Sequence, residues 1–269
     1  MNYLSFRSLA LIGLTATLAA CAQAPVAKAP AAAADAPVKT ALWVGNSFFY
    51  YNNSMHSHVG QLISNANPGV GGYRAVSATI SGSGINWHDV EAHFKPGGVS
   101  SYSFTPTNEV VFNKFDKPFD VAIMMDCSQC PVHPKLQSVF YEYVAKHSGT
   151  VRKYGAEPAL FMSWAYQDKP EMTQQLADEY IKAGKAVNAN VIPAGIAFAK
   201  SMTLKPDINL YASDKRHPSL AGTYLAACTV MASVYKQNPV GNKYTAGLPE
   251  DVAKHLQAVA WETVQSFKP

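Results

Sequence analysis

The stretch ALWVGNSFFYYNN, residues 41–53, joins an apolar run to a hydroxyl group. The run ends at Gly45, and Ser47 follows two residues later. A short continuous apolar run is typical of a strand buried on both faces of a parallel sheet. Open α/β sheets carry their chemistry beyond the carboxyl ends of such strands. The stretch therefore predicts a first core strand over 40–46 and presents Ser47 as either a nucleophile or a turn residue.

Working outward from this strand, apolar runs alternate with segments of helical periodicity along the chain. The predicted strands are 73–81, 119–126, 158–166 and 190–195, and the predicted helices are 54–66, 135–154, 170–188, 219–236 and 249–267. This alternation predicts an α/β fold, a three-layer α/β/α sandwich with a mostly parallel central sheet. The Gly-, Pro- and Ser-rich region 95–118 is expected to be a loop or a small hairpin over one edge.

Composition limits the class of protein. The 269 residues are 48% apolar and 15% charged, which is typical of a globular chain. The formal net charge is +4 and falls to +3 when Arg7 is removed with the leader. Because this charge is small and scattered, it argues against nucleic acid as a partner.

The N-terminus has the pattern of an export signal. Arg7 precedes the apolar stretch LALIGLTATLAA, which ends at Cys21. The tetrapeptide Leu18-Ala19-Ala20-Cys21 resembles a bacterial lipobox, which implies a signal peptide over 1–20 and a lipid on the Cys21 thiol. Ordinary signal cleavage beside an incidental cysteine is the alternative.

The residues after Cys21 predict how the chain is tethered. Residues 21–38 are rich in Ala and Pro, which is typical of a flexible tether. One folded domain is expected over 39–269. Ala22, rather than an aspartate, follows the cysteine, and by comparison with other lipoproteins this indicates the periplasmic face of the outer membrane.

A candidate base and acid lie close together near the C-terminus. In YASDKRHPS, residues 211–219, Asp214 and His217 are three residues apart before a helix. This spacing lets a carboxylate reach one imidazole nitrogen and leaves the other free to take a proton from Ser47. Asp207 is an alternative acid, and His88 is an alternative base.

The order of these motifs resembles the SGNH/GDSL hydrolases, and in particular a little-characterised bacterial lipoprotein subgroup. The resemblance rests on WVGNSFFYYNN, GAEPALFMSWA, VIPAGIAFA and HPSLAGTYLAAC, with GNS in place of the literal GDS. It implies a flavodoxin-like sheet and ester hydrolysis without metal or cofactor. By resemblance, Ser47 is the nucleophile, His217 the general base and Asp214 the orienting acid.

The resemblance also implies an oxyanion hole with three donors. The backbone N–H of Ser47 is the first, and a glycine N–H is the second, with Gly82 preferred over Gly84. Such families place an Asn or Gln after the strand over 119–126, but this sequence has Cys127 there. Gln129 is the candidate third donor, and the Ser128 hydroxyl is the alternative.

The cysteines and nearby aromatic residues leave several interpretations open. Cys127 and Cys130 could form a disulfide, remain free thiols or, with neighbouring Met and His, hold a soft metal. Cys228 is expected in the core. Trp164 and Tyr166 could line a cleft or pack inside.

The sequence supports two functions of different classes. The first is an envelope-anchored serine ester hydrolase that acts on a small-molecule or glycan ester, with carbohydrate deacetylation as one form. The second is a non-catalytic protein that binds a glycan or a partner on a hydrolase scaffold. The missing amide at Cys127 motivates the second.

Overall fold

The structure is a computed structural model that describes residues 37–269. The predicted signal peptide, Cys21 and most of the predicted tether lie outside the described residues. Among the residues described, no helix combines the length and the apolar character that a membrane span requires.

In the part of the chain that the structure describes, seven strands form two separate sheets. They are β1 (Thr40–Gly45), β2 (Arg74–Thr79), β3 (Tyr102–Phe104), β4 (Val110–Phe112), β5 (Val121–Met124), β6 (Glu157–Phe161) and β7 (Asn190–Ile192). Five of them make a parallel sheet in the order β2-β1-β5-β6-β7, and β3 pairs antiparallel with β4. The prediction of a mostly parallel central sheet is confirmed, and region 95–118 contains a hairpin.

Eight α-helices accompany the strands within residues 37–269. They are α1 (Ser47–Tyr50), α2 (Met55–Ala66), α3 (Val90–Phe94), α4 (Gln137–Lys153), α5 (Met172–Val187), α6 (Ala194–Leu204), α7 (Leu220–Val234) and α8 (Glu250–Ser266). Single 3-10 turns lie at Ile85–Trp87 and Cys130–Val132.

The alternation of side chains along β1 builds a core on each face of the sheet. Ala41 and Trp43 pack into a cluster with residues of α2, α6, α7 and α8. Leu42 and Val44 pack into a second cluster with residues of α3, α4 and α5. Since both faces of a parallel sheet must be covered, these two clusters produce the α/β/α sandwich that the sequence predicts.

The structure corrects several predicted boundaries. The strand predicted over 158–166 ends at Phe161, although residues 162–165 remain buried and continue as irregular chain. The strand predicted over 190–195 ends at Ile192, and the stretch after it forms α6, which was not predicted. The residues after Ser47 form the one-turn α1 and not a simple turn.

The order of strands in the sheet indicates where a ligand-binding site would lie. When its five strands are numbered in chain order, the sheet has the order 2-1-3-4-5. The second strand is added on one side of β1 and the later strands on the other, so the order of addition reverses between β1 and β5. In such sheets ligands bind beyond the carboxyl ends of the strands at this reversal. We call that side of the sheet the carboxyl-end edge, and the side where strands begin the amino-end edge.

Candidate active site

The chain turns sharply between β1 and α1 to present Ser47. A Cβ atom on Gly45 would lie 2.6 Å from Cγ of Met125 and 2.8 Å from the Phe49 ring, so only glycine fits. Asn46 then caps α1, because its side chain accepts from the N–H of Phe48 at 3.2 Å. Ser47 is therefore the first residue of α1, at the carboxyl-end edge.

The Asn46 side chain also holds three segments together. Its Nδ2 donates to the carbonyl oxygen of Ser83 at 3.0 Å and to that of Asp126 at 3.3 Å. Both carbonyls belong to loops that follow neighbouring strands. The middle residue of GNS thus fixes the nucleophile relative to the loops after β2 and β5.

The structure brings Ser47, His217 and Asp214 together in one hydrogen-bonded row. Nε2 of His217 lies 2.8 Å from Oγ of Ser47, and Nδ1 is hydrogen-bonded to Oδ2 of Asp214. The backbone N–H of His217 also donates to Oδ1 of Asp214 at 3.0 Å. With the Nδ1 proton on the side of Asp214, Nε2 is free to accept the serine proton.

The environment keeps Asp214 ionised. Burial alone would raise its pKa, but hydrogen bonds from the His217 side chain and from the N–H groups of Arg216 and His217 lower the pKa to about 2. A carboxylate in this state can orient an imidazole and stabilise its protonated form.

Aromatic side chains hold the imidazole in place. The Tyr51 ring stacks on the His217 ring with centroids 4.1 Å apart, and the Phe48 ring meets its edge at 5.5 Å. Trp164 stacks on Phe48 at 4.7 Å and donates its indole N–H to the carbonyl oxygen of Arg216 at 2.9 Å. Trp164 is fully buried, so it supports the site from the core and does not line a cleft.

The segment after α1 is hydrogen-bonded to the loop between α6 and α7, which carries His217 and which we call the histidine loop. Asn52 has a left-handed backbone with φ of 52°, and Asn53 and Ser54 follow with φ of 67° and 65°. Nδ2 of Asn52 donates to the carbonyl oxygen of Pro218 at 2.9 Å and to Oγ1 of Thr223 at 2.8 Å. Three left-handed residues in a row are costly, and these bonds help to offset that cost.

An open cleft of about 410 Å³ lies over the serine. Its wall is formed by residues from α1, from the loops after β2, β5 and β6, and from the histidine loop: Asn46, Ser47, Phe48, Ser81, Gly82, Cys127, Ser128, Gln129, Tyr166, Arg216 and His217. Of the two aromatic residues considered for a cleft wall, Tyr166 lines it, and Phe48 lines it as well. The cleft has room for a small acyl group beside the serine.

The two residues predicted to supply backbone donors to an oxyanion hole both belong to this cleft. Ser47 and Gly82 both line it, and within residues 37–269 neither N–H has a hydrogen-bond acceptor. Gly82 has φ of 69° with open space where a Cβ would be, which suits a backbone that approaches a substrate. Gly84 instead is buried and does not line the cleft, and a Cβ atom there would lie 2.7 Å from Oδ1 of Asn86 and 3.1 Å from Oδ1 of Asp126.

The third predicted donor lies on a small disulfide loop. Cys127 and Cys130 form a disulfide with Cα atoms 5.2 Å apart, and Ser128 and Gln129 between them both line the cleft. Oγ of Ser128 is 2.7 Å from the Tyr166 hydroxyl. Because both sulfurs are joined to each other, neither is available as a thiolate for a soft metal.

A buried carboxyl group supports the floor of the site. Asp126 is 2% exposed, and its Oδ1 accepts from the N–H of Ile85 at 2.8 Å and from that of Cys127 at 2.7 Å. Burial raises its pKa to about 6, although these two N–H groups act in the opposite direction. Asp126 therefore couples the loop after β2 to the disulfide loop.

The alternative candidates lie elsewhere. His88 is buried, is hydrogen-bonded to Oγ of Ser83 at 3.0 Å and has a pKa lowered to about 4, chiefly by burial. Asp214, and not Asp207, is hydrogen-bonded to His217, and the charge of Asp207 instead acts to raise the pKa of His255. Cys228 is fully buried, as expected, and burial raises the pKa of its thiol.

Three supporting residues were not predicted from the sequence. Asn46 could have been identified by its position as a helix cap in GNS. Asn52 had a weaker signal, because paired asparagines such as Asn52 and Asn53 favour left-handed turns. For Asp126 the only signal was a carboxylate at the end of an apolar run.

Comparison with solved structures places this fold. A protein from Slackia heliotrinireducens, provisionally described as an SGNH hydrolase, is 20% identical with a TM-score of 0.52, over 72% of this chain and 97% of that one. The acetylxylan esterase Axe2 from Geobacillus stearothermophilus is 14% identical with a TM-score of 0.52, over 72% and 93%. The chain has the SGNH hydrolase fold.

A second comparison extends further along the chain. A DUF4886 family protein from Bacteroides uniformis ATCC 8492 is 16% identical with a TM-score of 0.57, over 84% of this chain and 95% of that one. No protein-family model and no curated protein matches the sequence. At these identities the likeness shows the SGNH hydrolase fold, and the chemistry rests on the geometry of Ser47 and His217.

Proposed function

We propose that this SGNH-fold protein is a serine ester hydrolase. The observation that carries the proposal is the hydrogen bond of 2.8 Å between Nε2 of His217 and Oγ of Ser47, with Asp214 on the other imidazole nitrogen. A serine is a weak nucleophile unless an oriented base removes its proton, and this row provides that base.

The reaction would proceed in two steps through an acyl-serine. In the first, Oγ of Ser47 attacks the acyl carbon while Nε2 of His217 takes the serine proton and then gives it to the departing alcohol. In the second, His217 takes a proton from water, which attacks the acyl carbon, and it gives that proton to Oγ of Ser47 as the acid is released. The serine proton lost to the alcohol is thus replaced by one from water, so the enzyme returns to its starting state and the chemistry needs no further cofactor.

Charge that develops on the acyl oxygen would be met by the backbone donors. Ser47 and Gly82 line the cleft, and their N–H groups have no acceptor among residues 37–269. Gln129 would supply the third donor from the disulfide loop. Removal of one such donor typically lowers kcat by about 10²–10³.

The proposed substrate is a small acyl ester on a small molecule or a glycan. The open cleft of about 410 Å³ fits a short acyl group with a larger alcohol portion outside. Acetylxylan esterase activity is named for one protein of similar fold, which makes carbohydrate acetyl esters a sensible first class to assay. We further propose that a lipid on Cys21 holds the enzyme in the bacterial cell envelope, on the periplasmic face of the outer membrane.

A fluorophosphonate probe tests the proposal directly. The full chain is treated with the probe and mapped by peptide mass, and turnover of short-chain nitrophenyl esters is measured in parallel. We expect one adduct on Ser47, with labelling and turnover both lost in Ser47→Ala and in His217→Ala. Ser81→Ala is the matched control, because it removes another hydroxyl that lines the same cleft and that has no role in the proposed reaction.

The contrary result would favour the binding protein. A folded chain that takes no probe and turns over no ester would show that the row of Asp214, His217 and Ser47 is not activated. The absence of an amide at Cys127 would then be read as loss of catalysis on a hydrolase scaffold. Glycan binding by the same protein would be measured next.

A further inference from the structure

Exposed apolar side chains are concentrated in one short segment. Seven of the thirteen large apolar side chains that are exposed in residues 37–269 lie between residues 99 and 115: Val99, Tyr102, Phe104, Val110, Val111, Phe112 and Phe115. Single exposed apolar residues are normal, but a cluster of this kind marks an interaction surface. None of these residues lines the catalytic cleft.

The hairpin of β3 and β4 arranges four of them on one face. Tyr102 pairs with Phe112, and Phe104 pairs with Val110 across the two strands. Residues two apart on a strand share a face, so all four side chains point to the same side. Each is more than half exposed, with Phe104 at 63% and Phe112 at 58%, and we call this set the hairpin face.

The base of the hairpin lies at the amino-end edge of the sheet. The guanidinium of Arg74, at the start of β2, lies 4.8 Å from the Phe115 ring centroid. Arg74 also donates to the carbonyl oxygen of Pro118. Phe115 and Pro118 are thus held where the parallel strands begin, opposite the edge that carries Ser47.

The N-terminal chain enters the domain at the same edge. Asp120 accepts from the N–H groups of Lys39 and Thr40, both at 2.9 Å, so the segment that follows the hairpin is bonded to the residues where the domain begins. Only 17 residues separate Cys21 from Lys39. Fully extended, they span at most about 60 Å, which keeps this edge near any bilayer that holds a lipid on Cys21.

We propose that the hairpin face docks into the headgroup boundary of the bilayer that carries the Cys21 lipid. The inference rests on the proposed lipid anchor, and it goes beyond the proposed function because it fixes the orientation of the enzyme. Aromatic side chains favour the membrane interface, and a lipid anchor with a second contact holds a protein more firmly than the anchor alone. The cleft then faces away from the membrane, toward material in the periplasm.

Charge around the hairpin favours an apolar contact over an electrostatic one. Glu109 lies beside the tip, and Asp116 and Lys114 flank Phe115, so both signs are present. The docking is therefore expected to depend weakly on salt. A weak dependence on salt distinguishes this docking from membrane binding by a basic patch.

Fluorescence quenching by lipid tests the docking. The full chain, lipidated in a bacterial host, is reconstituted into phosphatidylethanolamine–phosphatidylglycerol vesicles that contain doxyl-labelled lipid. A bimane probe is placed at Phe104→Cys or at Leu136→Cys. Leu136 is the matched control, since it is an exposed apolar residue on the loop that follows β5, at the carboxyl-end edge. The cysteines at 127, 130 and 228 do not compete for the probe, because they are disulfide-bonded or buried.

The expected result is quenching at position 104 that is roughly threefold stronger than at position 136, as for a side chain inserted at the interface. Equal, weak quenching at both positions with the protein retained on the vesicles would overturn the docking and leave the anchor intact. Loss of the protein from the vesicles would overturn both. Ester turnover on the same vesicles reports separately on the proposed function.

Self-association is the competing occupant of the hairpin face. Its signature is shielding of the bimane at position 104 in detergent solution, without vesicles, that increases with protein concentration. That result would overturn the membrane proposal in favour of a contact between two copies. The variant Phe104→Ser with Phe112→Ser should leave turnover of a soluble ester unchanged, because neither side chain touches the cleft.

Discussion

At the scale of single residues, the imidazole of His217 is held by one contact from its own loop and by two from a distant part of the chain. Asp214 holds one ring nitrogen, Tyr51 covers one ring face, and Asn52 bonds the carbonyl oxygen of the next residue, Pro218. The spacing of Asp214 and His217 allowed the first contact to be predicted. The other two depend on the fold, because residues 51 and 52 are more than 160 positions away in sequence.

Replacement of Asn52 tests whether this tie positions the histidine. Asn52→Gly removes the bonds to Pro218 and Thr223 but retains a residue that adopts the left-handed backbone without strain. We expect kcat toward a short-chain ester to fall roughly tenfold with little change in KM, because small displacements of a base are costly in rate. Steady-state kinetics at constant pH provide the measurement.

Asn53→Gly is the control for the Asn52 prediction. Asn53 also has a left-handed backbone, with φ of 67°, but within residues 37–269 its side chain makes no hydrogen bond. The control should keep its kcat within about twofold of the parent. If both variants lost the same activity, the effect would come from the loop backbone and not from the bond to Pro218.

At the scale of elements, the disulfide loop after β5 has to present Gln129 to the cleft. The link between Cys127 and Cys130 closes a four-residue loop, and Asp126 accepts the N–H of Cys127 at its start. The variant Cys127→Ser with Cys130→Ser should lower kcat roughly tenfold, since a donor that is not held in place stabilises the oxyanion less. The free energy of unfolding should fall by about 2 kcal/mol, as expected for so short a loop.

A thiol reductant provides an independent test of the disulfide loop. Treatment of the parent protein should lower kcat to the level of the double serine variant and should leave that variant unchanged. A parent enzyme that kept full activity after complete reduction, verified by mass, would mean that the loop holds its shape without the disulfide. Cys228 is too deeply buried to account for a change.

The helices show which sequence signals were sufficient. Helix α2 was predicted to within one residue, because its apolar positions recur at helical spacing. Helix α7 is buried almost throughout and has little periodicity, but Ser219 marks its start with a side-chain cap. Helix α6 has neither signal, since Pro193 precedes it without a cap and its mostly apolar sequence hides the period.

At the scale of the whole molecule, the sheet order could not be read from periodicity. The alternation of strands and helices predicted parallel pairing and two covered faces. The strand registers confirm the pairing, and the two clusters of the core confirm that both faces are covered. Which strand neighbours which depended on the resemblance to SGNH hydrolases. The same limit hid Asp126, because its burial arises only when the loops after β2 and β5 meet above β1.

The burial of Asp126 has a consequence for stability. In the folded protein its pKa is raised to about 6, above the ordinary value of 3.8, so the folded state binds a proton more tightly than the unfolded state. The stabilising effect of that proton is complete below about pH 4 and is lost as pH rises through about 6. Above that range the folded protein carries a constant cost of up to about 3 kcal/mol.

Asp126→Asn should therefore stabilise the protein at neutral pH and leave it unchanged in acid. The amide oxygen can still accept the N–H groups of Ile85 and Cys127, and the buried charge is gone. The free energy of unfolding is measured with denaturant between about pH 4 and 8. The variant should exceed the parent by close to zero at the acidic end and by about 1–3 kcal/mol above pH 6. All other titratable groups are the same in the parent and the variant, so their contributions cancel in this difference.

Asp120→Asn is the matched control, and its change in the free energy of unfolding should have the opposite sign. Burial alone would raise the pKa of Asp120, but Lys117 and the N–H groups of Lys39 and Thr40 lower the pKa to about 2, so its charge stabilises the fold above about pH 4. Asp120→Asn should destabilise the protein at neutral pH, and the deficit should shrink as pH falls from about 4 toward 2. Equal and pH-independent changes in both variants would mean that amide packing, and not proton binding, controls stability at the two sites.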